Sequence, residues 1–228
     1  MKKAILLLSG GLDSATCGLI ARNVGFEIYA MSFFYGQRHD FELNAAKKVA
    51  SFLDVKEHRI VNIDPTAFGS NALTSSNIDV PKGSNISKDS SDIPITYVPA
   101  RNTIFLSYAL AWAEVLNCTD IFIGVNDVDY SGYPDCRPEY IAAYERMANL
   151  ATVSGIQGQK LKIHTPLISF SKAEIIKTGL SGGIDYSITH SCYDPDAHGN
   201  ACGSCDSCQI RKKGFEEAQT ADPTVYNS

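Results

Sequence analysis

Residues 4–14 read AILLLSGGLDS, an aliphatic run that meets two glycines and then a stretch that favours a helix. A continuous aliphatic run such as Ala4–Leu8 is typical of a parallel strand that is buried on both faces. The pair Gly10–Gly11 predicts a tight turn, and the residues from Leu12 to Asn23 predict a helix. This order of strand, glycine turn and helix predicts the first unit of an α/β sheet.

The same alternation of strands and helices continues along the chain. Apolar residues at helical spacing predict helices, and short apolar runs between polar turns predict strands. Such an alternation indicates an open, mostly parallel α/β sheet with helices on both faces. The further predicted elements are strands over residues 27–34, 58–63, 120–125 and 161–165, and helices over 41–53, over 104–116, from Pro138 onward and from a capping box at 171–174.

The composition narrows the functional classes. Of the 228 residues, 44% are hydrophobic and 20% are charged, which excludes a largely disordered protein because enough apolar side chains offset the entropy of ordering. The formal net charge of −5 argues against a nucleic-acid-binding surface spread over the whole molecule. We therefore expect no stable nucleic-acid partner, although the net charge leaves a local basic patch or a charge-compensated oligomer open.

Neither a membrane partner nor export is expected. No apolar run reaches the roughly 18–20 residues that cross a bilayer. The opening residues Met1–Leu8 imitate a signal peptide, but Ser9–Ser14 is no small-residue cleavage site. We therefore expect a cytoplasmic location.

The glycine turn also carries chemistry. Its two glycines let backbone N–H groups approach a ligand without a Cβ in the way. Those N–H groups, the hydroxyls of Ser9 and Ser14 and the start of the following helix predict an anion cradle suited to phosphate. The segment is not a Walker motif, which requires a Gly-Lys-Ser/Thr ending. The plainer interpretation is a structural Gly-Gly turn with Asp13 in the first turn of a helix.

Four of the seven cysteines follow the spacing of a metal site: Cys192, Cys202, Cys205 and Cys208. Four thiolates can close a tetrahedral zinc site, and with no open position such a zinc is structural rather than catalytic. The Cys-x2-Cys-x2-Cys run leaves an iron–sulfur cluster as the alternative. The other cysteines, Cys17, Cys118 and Cys136, are interpreted as ordinary free thiols.

Two further segments complete the organisation of the chain. Residues from about 70 to 92 are polar and show neither the helical nor the strand spacing of apolar residues. This predicts a long loop that is either a lid or plain disorder. We divide the chain into a nucleotide-binding α/β domain over 1–185 and a C-terminal region over 186–228 that holds the zinc site and a terminal helix.

The segment Ser9–Ser14 resembles the SGGxDS pyrophosphate loop of the PP-loop ATP pyrophosphatase superfamily. Members of that superfamily cleave ATP between its α and β phosphates, adenylate a substrate oxygen and release pyrophosphate. The resemblance implies ATP and Mg²⁺ as cofactors, with Asp13 near the ion and with Asp13 and Ser14 among the catalytic residues. The residues that it assigns to ATP here are Leu8, Ser9, Gly10, Gly11, Asp13 and Ser14.

A larger set of segments resembles the 7-cyano-7-deazaguanine synthase family of the queuosine pathway, a branch of that superfamily. The set consists of the glycine turn, residues 34–39, 98–102 and 124–137 and the four terminal cysteines, in this order, and the resemblance runs from about residue 2 to 223. It implies an adenine nucleotide alpha hydrolase-like fold. It also implies an ATP-dependent ligase, active as a homodimer, that converts 7-carboxy-7-deazaguanine and ammonia to the nitrile through adenylated acid and amide intermediates.

Outside the glycine turn, Arg101 and Lys172 are the candidate catalytic residues. Arg101 lies near a proline at a strand–helix junction and is a candidate phosphate clamp. Lys172, at the start of a helix, is expected to meet the same polyphosphate. The plainer interpretation of each is a solvent-exposed basic side chain.

Two loops at strand ends supply the remaining candidates. Gln37 and Arg38 follow the second strand, where the base and ribose of the nucleotide are expected. The loop 126–137 follows a later strand, at the edge where open α/β sheets bind ligands. Its carboxylates are expected to accept hydrogen bonds from the guanine-like N–H edge, and its tyrosines to stack on the ring, although any one of them is alternatively a turn residue. The assigned substrate-binding residues are Asp127, Asp129, Tyr130, Tyr133, Asp135 and Arg137.

Two alternative functions stay open at this point. A PP-loop tRNA sulfurtransferase also activates an oxygen by adenylation, but the acidic balance and the lack of an appended basic domain lean against it. Cys17 and the terminal cysteines keep this alternative open. A zinc-ribbon binding module with an inactive nucleotide loop is the other, and the intact Ser9–Ser14 string argues against it.

Overall fold

The computed structural model describes residues 1–37, 39–68, 72–74, 77–83, 93, 96–128 and 133–227. Strands and helices alternate along this chain as predicted. The strands are β1 (Lys2–Leu7), β2 (Phe26–Phe34), β3 (Glu57–Asn62), β4 (Asp120–Phe122) and β5 (Lys162–His164). The helices are α1 (Leu12–Asn23), α2 (Phe41–Leu53), α3 (Arg101–Leu116), α4 (Pro138–Ala151), α5 (Val153–Ile156), α6 (Lys172–Ser181) and α7 (Asp206–Glu217).

The five strands form one parallel sheet in the order β3-β2-β1-β4-β5. β2 and β3 therefore lie on one side of β1, and β4 and β5 lie on its other side. The order of the strands reverses between β1 and β4, and Ile5 lies opposite Ile121 there. Ligands of open α/β sheets bind at the carboxyl ends of the strands beside such a switch point.

The hydrophobic core lies on both faces of the sheet. Ala4, Leu6 and Leu8 of the first strand region point into one cluster, which contains buried residues of α1, α2, α6 and α7. Ile5 and Leu7 point into a second cluster, which contains buried residues of α3 and α4. The alternation along β1 confirms the predicted sheet with helices on both faces.

The carboxyl-terminal region shares this core. Phe215 of α7 and Ala218 belong to the same hydrophobic cluster as α1 and α2. Arg211 is 3% exposed, and its guanidinium donates to the Asp222 carboxylate and to the backbone oxygen of Tyr186. The proposed boundary at residue 185 is bridged by the apolar contacts of Phe215 and Ala218, and by the backbone N–H of His190, which donates to the Gly10 oxygen at 3.0 Å.

Several predicted strands differ from the structure by one residue at an end, and one strand and one helix differ by more. The strand predicted over 120–125 ends at Phe122, although the Ile123 N–H still donates to the His164 oxygen at 3.0 Å. The helix predicted from Ile104 begins at Arg101, since the Asp135 carboxylate accepts the backbone N–H of Asn102 at 2.9 Å and so satisfies a donor of the first turn. By contrast, α1 and α2 have the predicted bounds.

Part of the predicted polar loop is attached to the cysteine region. Val80 is 5% exposed and packs among the four cysteines. Lys82 forms an antiparallel bridge with Cys205, and the backbone N–H of Gly83 donates to the Ser204 oxygen at 2.9 Å. The structure describes residues 72–74 and 77–83 of the loop, and residues 84–92 lie outside the described part.

Within the described ranges, no helix is both long enough and apolar enough to cross a membrane.

Candidate active site

A cleft of about 310 Å³ opens at the carboxyl ends of β1, β2 and β4. It lies beside the switch point between β1 and β4, where the fold favours ligand binding. Nine residues predicted from sequence line it: Leu8, Ser9, Gly11, Asp13, Ser14, Gln37, Arg101, Tyr133 and Lys172. The fold thus gathers residues from both halves of the chain around one cavity.

The glycine turn forms one end of the cleft. Gly10 has a φ of +86°, and a Cβ there would lie 2.4 Å from the backbone oxygen of Glu42 in α2, so both the conformation and the close approach require glycine. Gly11 is the N-cap residue of α1, and no described side chain caps that helix. Backbone donors of its first turn are left for an anion, and the positive end of the helix dipole adds to the attraction.

Hydroxyl groups line the same turn. The Ser9 Oγ and Ser14 Oγ lie 3.0 Å apart, and the Ser14 hydroxyl donates to the Gly11 oxygen at 3.0 Å. These hydrogen bonds hold the turn in a shape that exposes its donors to the cleft. The donor set and the glycine conformation fit the outer phosphates of a nucleotide.

An ion pair connects the starts of α1 and α6. The Lys172 Nζ lies 2.7 Å and 2.8 Å from the two carboxylate oxygens of Asp13. The Ser171–Glu174 capping box fixes the first turn of α6. The Asn126 amide donates to the backbone oxygens of Leu167 and Phe170 just before that helix. Residues far apart in sequence thereby place a cation and a carboxylate beside the glycine turn.

The other end of the cleft is aromatic. The Arg101 Nη1 donates to the Tyr35 hydroxyl at 3.2 Å, and the guanidinium carbon lies 5.9 Å and 5.8 Å from the ring centroids of Tyr35 and Tyr133. Phe33 stacks on Phe105 with centroids 3.9 Å apart. Burial raises the pKa of Tyr35, so its phenol stays neutral at physiological pH. This end of the cleft offers ring surfaces and one cation to a planar ligand.

Glu42 lines the cleft and was not predicted from sequence. Burial raises the pKa of its carboxyl, while the charge of Arg101 and a hydrogen bond from Gln37 act to lower that pKa. The Gln37 amide is itself held, because its Nε2 donates to the Phe33 oxygen at 2.9 Å and its Oε1 accepts the Tyr35 N–H at 2.8 Å. The side chain of Gln37, which the sequence analysis assigned to the nucleotide, is thus hydrogen-bonded to the protein backbone.

The predicted substrate-binding residues have different environments. Tyr133 lines the cleft, and its hydroxyl lies 2.9 Å from the Thr96 Oγ1. Asp135 is 5% exposed and its carboxylate is used by α3, so its local role is to hold that helix. Asp127 and Arg137 are exposed and lie outside the described lining of the cleft. Three predicted residues fall outside the described part of the chain: Arg38, Asp129 and Tyr130.

Several cleft residues come from around the cysteine region. His190, Ser191 and Tyr193 precede or flank the first cysteine, and Arg211 lies on α7. The His190 N–H donates to the Gly10 oxygen at 3.0 Å, which joins this wall to the glycine turn. No motif in the sequence marks these residues, because their position depends on how the carboxyl-terminal region packs on the sheet.

The four predicted metal ligands come together. The Sγ atoms of Cys192, Cys202, Cys205 and Cys208 all lie within 4.8 Å of one another. Three of these cysteines are buried, at 1%, 0% and 2% exposure for Cys192, Cys205 and Cys208. Four converging sulfurs in a buried setting fit a tetrahedral thiolate site, and within the described ranges they form the one such group of three or more candidate ligands.

Hydrogen bonds around these sulfurs favour thiolates. The Cys192 Sγ accepts the backbone N–H groups of Asp194 and Cys202, at 3.3 Å and 3.2 Å. The Cys202 Sγ accepts the N–H of Cys205 at 3.3 Å. Hydrogen bonds from the neighbouring thiols of Cys192 and Cys208 lower the pKa of Cys205, and the same hydrogen bonds raise the pKa of those two thiols, so the negative charge is centred on Cys205. Such donors orient and stabilise sulfur ligands of a metal.

Comparisons with known proteins agree with this geometry. The chain is 62% identical over 226 residues to 7-cyano-7-deazaguanine synthase of Desulfatibacillum aliphaticivorans, covering 99% of this chain and 97% of that protein. It is 62% identical over 228 residues to the synthase of the same name from Dechloromonas aromatica, covering 100% of both chains. The solved NMN synthetase from Francisella tularensis is 18% identical with a TM-score of 0.51, over 97% of this chain and 78% of that one, which shows a shared fold. A family model described as "Queuosine biosynthesis protein QueC" matches residues 3–219, and the chain therefore belongs to the QueC family.

Proposed function

We propose that this chain is an ATP-dependent ligase that converts 7-carboxy-7-deazaguanine and ammonia to 7-cyano-7-deazaguanine, with release of AMP and pyrophosphate. One observation carries the proposal. The glycine turn, the Asp13–Lys172 pair and an aromatic pocket line one cleft at the switch point of the sheet. The names of relatives that are 62% identical along the whole chain support the same reaction.

The glycine turn is proposed to bind the β and γ phosphates of ATP. Backbone donors at the start of α1 and the hydroxyls of Ser9 and Ser14 face that end of the cleft. Lys172, 2.7 Å from Asp13, would bring positive charge to the phosphates, and the Asp13 carboxylate would hold Mg²⁺, which would neutralise further charge on the pyrophosphate. Such groups stabilise pyrophosphate as it leaves, which lowers the barrier to α–β cleavage. Arg101 is proposed to clamp a further anionic group in the same cleft.

Two activations in this one pocket account for the nitrile. A carboxylate oxygen of the acid attacks the α phosphorus of ATP, pyrophosphate leaves, and ammonia then displaces AMP to give the amide. The amide oxygen attacks the α phosphorus of a second ATP, and loss of AMP and the two N–H protons leaves the C≡N bond. The residues of the chain orient the acid against ATP and exclude water from the adenylated intermediates.

Zinc is proposed as a structural ion at the four cysteines. The four sulfurs leave no position for substrate, and their backbone N–H donors suit thiolate ligands. The neighbouring residues His190 and Tyr193 line the cleft, so the ion would hold one wall of the active site in place. It would supply no step of the reaction.

The tRNA sulfurtransferase alternative needs a reactive cysteine, and the described cysteines do not favour one. Cys17 is fully buried in α1, and burial raises the pKa of its thiol well above the usual range. Reactive cysteines are instead accessible thiolates with a lowered pKa. The terminal cysteines converge on one point as metal ligands do.

A homodimer in the cytoplasm completes the proposal. Val115 of α3 is 74% exposed, Leu150 of α4 is 79% exposed, and Val153 and Ile156 of α5 are 63% and 77% exposed. The Glu114 carboxylate accepts the Val153 N–H, which brings α3 and α5 together into one apolar face. Faces of this kind are buried by partners, and pairing with a second copy buries the same face on both. The seven cysteines form no disulfide with one another, which suits the reducing cytoplasm.

The test is a single incubation. Purified protein, ATP, ammonium and 7-carboxy-7-deazaguanine are combined, and the products are separated by liquid chromatography with mass detection. The proposal predicts nitrile, AMP and pyrophosphate, and omission of ammonium should remove the nitrile. The appearance of ADP and phosphate in their place would contradict the proposed cleavage.

A further inference from the structure

Glu42 is a carboxylate in the cleft that neither the glycine motif nor the metal site accounts for. It lies in the first turn of α2, and its backbone oxygen faces Gly10 of the glycine turn. This backbone contact fixes the start of α2 against the nucleotide end of the site. The Glu42 side chain lines the cleft together with Arg101 and the aromatic residues.

The surroundings of Glu42 make it a fixed acceptor. An ionised carboxylate accepts hydrogen bonds and donates none. Burial raises the pKa of the Glu42 carboxyl, and the charge of Arg101 and one hydrogen bond from Gln37 act against that rise. Since Gln37 is held by the backbone of Phe33 and Tyr35, it positions Glu42 rather than following it. An ionised Glu42 in the lining of the cleft favours a ligand that brings donors.

The shape of this end of the cleft limits the ligand to a planar one. Phe33, Tyr35, Phe105 and Tyr133 line it with aromatic rings. Tyr193 adds a further ring on the side of the cysteine region. Aromatic rings of this kind pack against flat heterocycles.

The pattern of donors distinguishes the two heterocycles that enter this site. The corresponding edge of adenine has an amino donor beside a ring-nitrogen acceptor, and that acceptor repels a carboxylate. A 2-amino-4-oxo pyrimidine ring has an N–H donor beside an amino donor, and the two match both oxygens of one carboxylate. Buried polar groups left without a partner carry a penalty, so the acceptor of the site favours the second ring.

We propose that Glu42 is the specificity residue that binds the ring N–H and 2-amino group of the deazaguanine acid, with Gln37 as its positioning residue. This inference rests on the proposed function. It assigns to α2 the role that sequence analysis gave to the aspartates of the loop 126–137. The engagement of Asp135 with α3 and the exposed position of Asp127 agree with that reassignment.

The experiment compares two substrates in two proteins. One substrate is 7-carboxy-7-deazaguanine and the other is the same acid without the 2-amino group, and the proteins are the wild type and Glu42→Gln. The wild type should prefer the amino-bearing acid by about 10- to 100-fold in kcat/KM, the value of a hydrogen bond to a charged group. The glutamine places an amide N–H against one ligand donor, so the preference should fall to within about 3-fold of unity, with the KM for ATP unchanged.

Glu139→Gln is the matched control, because Glu139 is an exposed acid in the first turn of α4. It should keep the wild-type preference. Calorimetric titration of each protein with the two acids gives the same comparison without turnover. An unchanged preference in Glu42→Gln would overturn the inference, and so would a lower kcat with the preference intact, which would indicate a proton-transfer role. Failure of the wild type to form nitrile would instead contradict the proposed function, while the titrations still decide the role of Glu42.

Discussion

At the scale of single residues, the proposed reaction depends most on Asp13. Its carboxylate lies beside the glycine turn and within 2.7 Å of the Lys172 Nζ. The Asp13 side chain is 32% exposed, so the ion pair is screened by solvent and contributes at most about 1 kcal/mol to stability. Asp13 is therefore expected to matter for chemistry far more than for folding.

Asp13→Ala should reduce turnover by about 100- to 1,000-fold, the usual effect of removing one group that stabilises developing charge. The melting temperature should stay close to that of the wild type, since the lost ion pair is partly exposed. AMP formation and thermal melting measure the two effects. Glu217→Ala, at an exposed position near the end of α7, should change neither. A variant at position 13 with near-normal turnover would remove Asp13 from the proposed site.

Unlike Asp13, Glu42 should affect the stability of the fold, because its charge is buried. Burial raises the pKa of its carboxyl above the ordinary value of 4.5, which means that the folded protein binds the proton more tightly than the unfolded chain. The stability that this group contributes is complete below pH 4.5 and is lost as the pH rises through the raised pKa. At neutral pH the buried charge therefore opposes folding.

Glu42→Gln should accordingly melt at a higher temperature than the wild type at pH 7.5. The difference should shrink as the pH falls through the raised pKa and should be smallest below pH 4.5, where the wild-type side chain is neutral as well. Differential scanning calorimetry across this pH range measures the effect, with exposed Glu139→Gln as the control. A lower melting temperature for Glu42→Gln at pH 7.5 would show that the charge supports the fold.

Sequence predicts residues of a motif better than residues placed by packing. Asp13 and Lys172 are both predictable, one from the glycine turn and one from a helix start, although 159 residues separate them. Glu42 and Arg211 reach the cleft because α2 and α7 pack against the glycine turn and the sheet, and no local pattern records that. Asp135 is the opposite case: the sequence pattern predicts a substrate-binding carboxylate, but this carboxylate accepts a backbone N–H at the start of α3.

At the scale of elements, the most informative unit is the four-cysteine segment with its attachments. Lys82 and Gly83 of the polar loop pair with Cys205 and Ser204, and the Lys82 ammonium lies 2.9 Å from the Asp194 carboxylate. The spacing of the cysteines predicts their convergence. The attachment of residues 80–83 was not predictable, because it consists of backbone hydrogen bonds, and neither the polar loop nor the cysteine segment has the residue pattern of a strand.

Cys205→Ser should lose the metal and several kcal/mol of stability together, because binding energy at a structural thiolate site is folding energy. Metal content by atomic emission and unfolding by denaturant measure the two losses. His198→Ala is the control, since this exposed histidine lies near the site but outside the group of four sulfurs. It should keep both metal and stability. Zinc retained at wild-type levels in Cys205→Ser would contradict the structural site.

At the scale of the whole molecule, the strand order explains why the glycine turn and the aromatic residues line one cleft. β1 lies between β2 and β4, so the glycine turn after β1 is flanked by the ends of both neighbours. The alternation of strands and helices predicts this parallel sheet. It does not predict the carboxyl-terminal wall of the cleft, which depends on the packing of α7 in the same core as α1 and α2.

The exposed apolar face of α3, α4 and α5 predicts a dimer in solution. Sedimentation equilibrium should give a mass near 49.4 kDa, twice the 24.7 kDa of one chain. Leu150→Glu places a charge on a residue that is 79% exposed in the single chain, so it should yield monomers with an unchanged fold. Glu216→Gln, at an exposed position of α7, serves as the control. A wild-type protein that sediments as a monomer at micromolar concentration would contradict the proposed dimer.

The central claim is that the glycine turn holds the outer phosphates of ATP while the α phosphorus is transferred to the acid. Exchange of labelled pyrophosphate into ATP measures this step directly, with 7-carboxy-7-deazaguanine present and ammonium absent. Label should enter ATP when the acid is present, and the exchange should disappear without the acid and in Asp13→Ala. Acid-dependent ADP formation with no labelled ATP would contradict the claim.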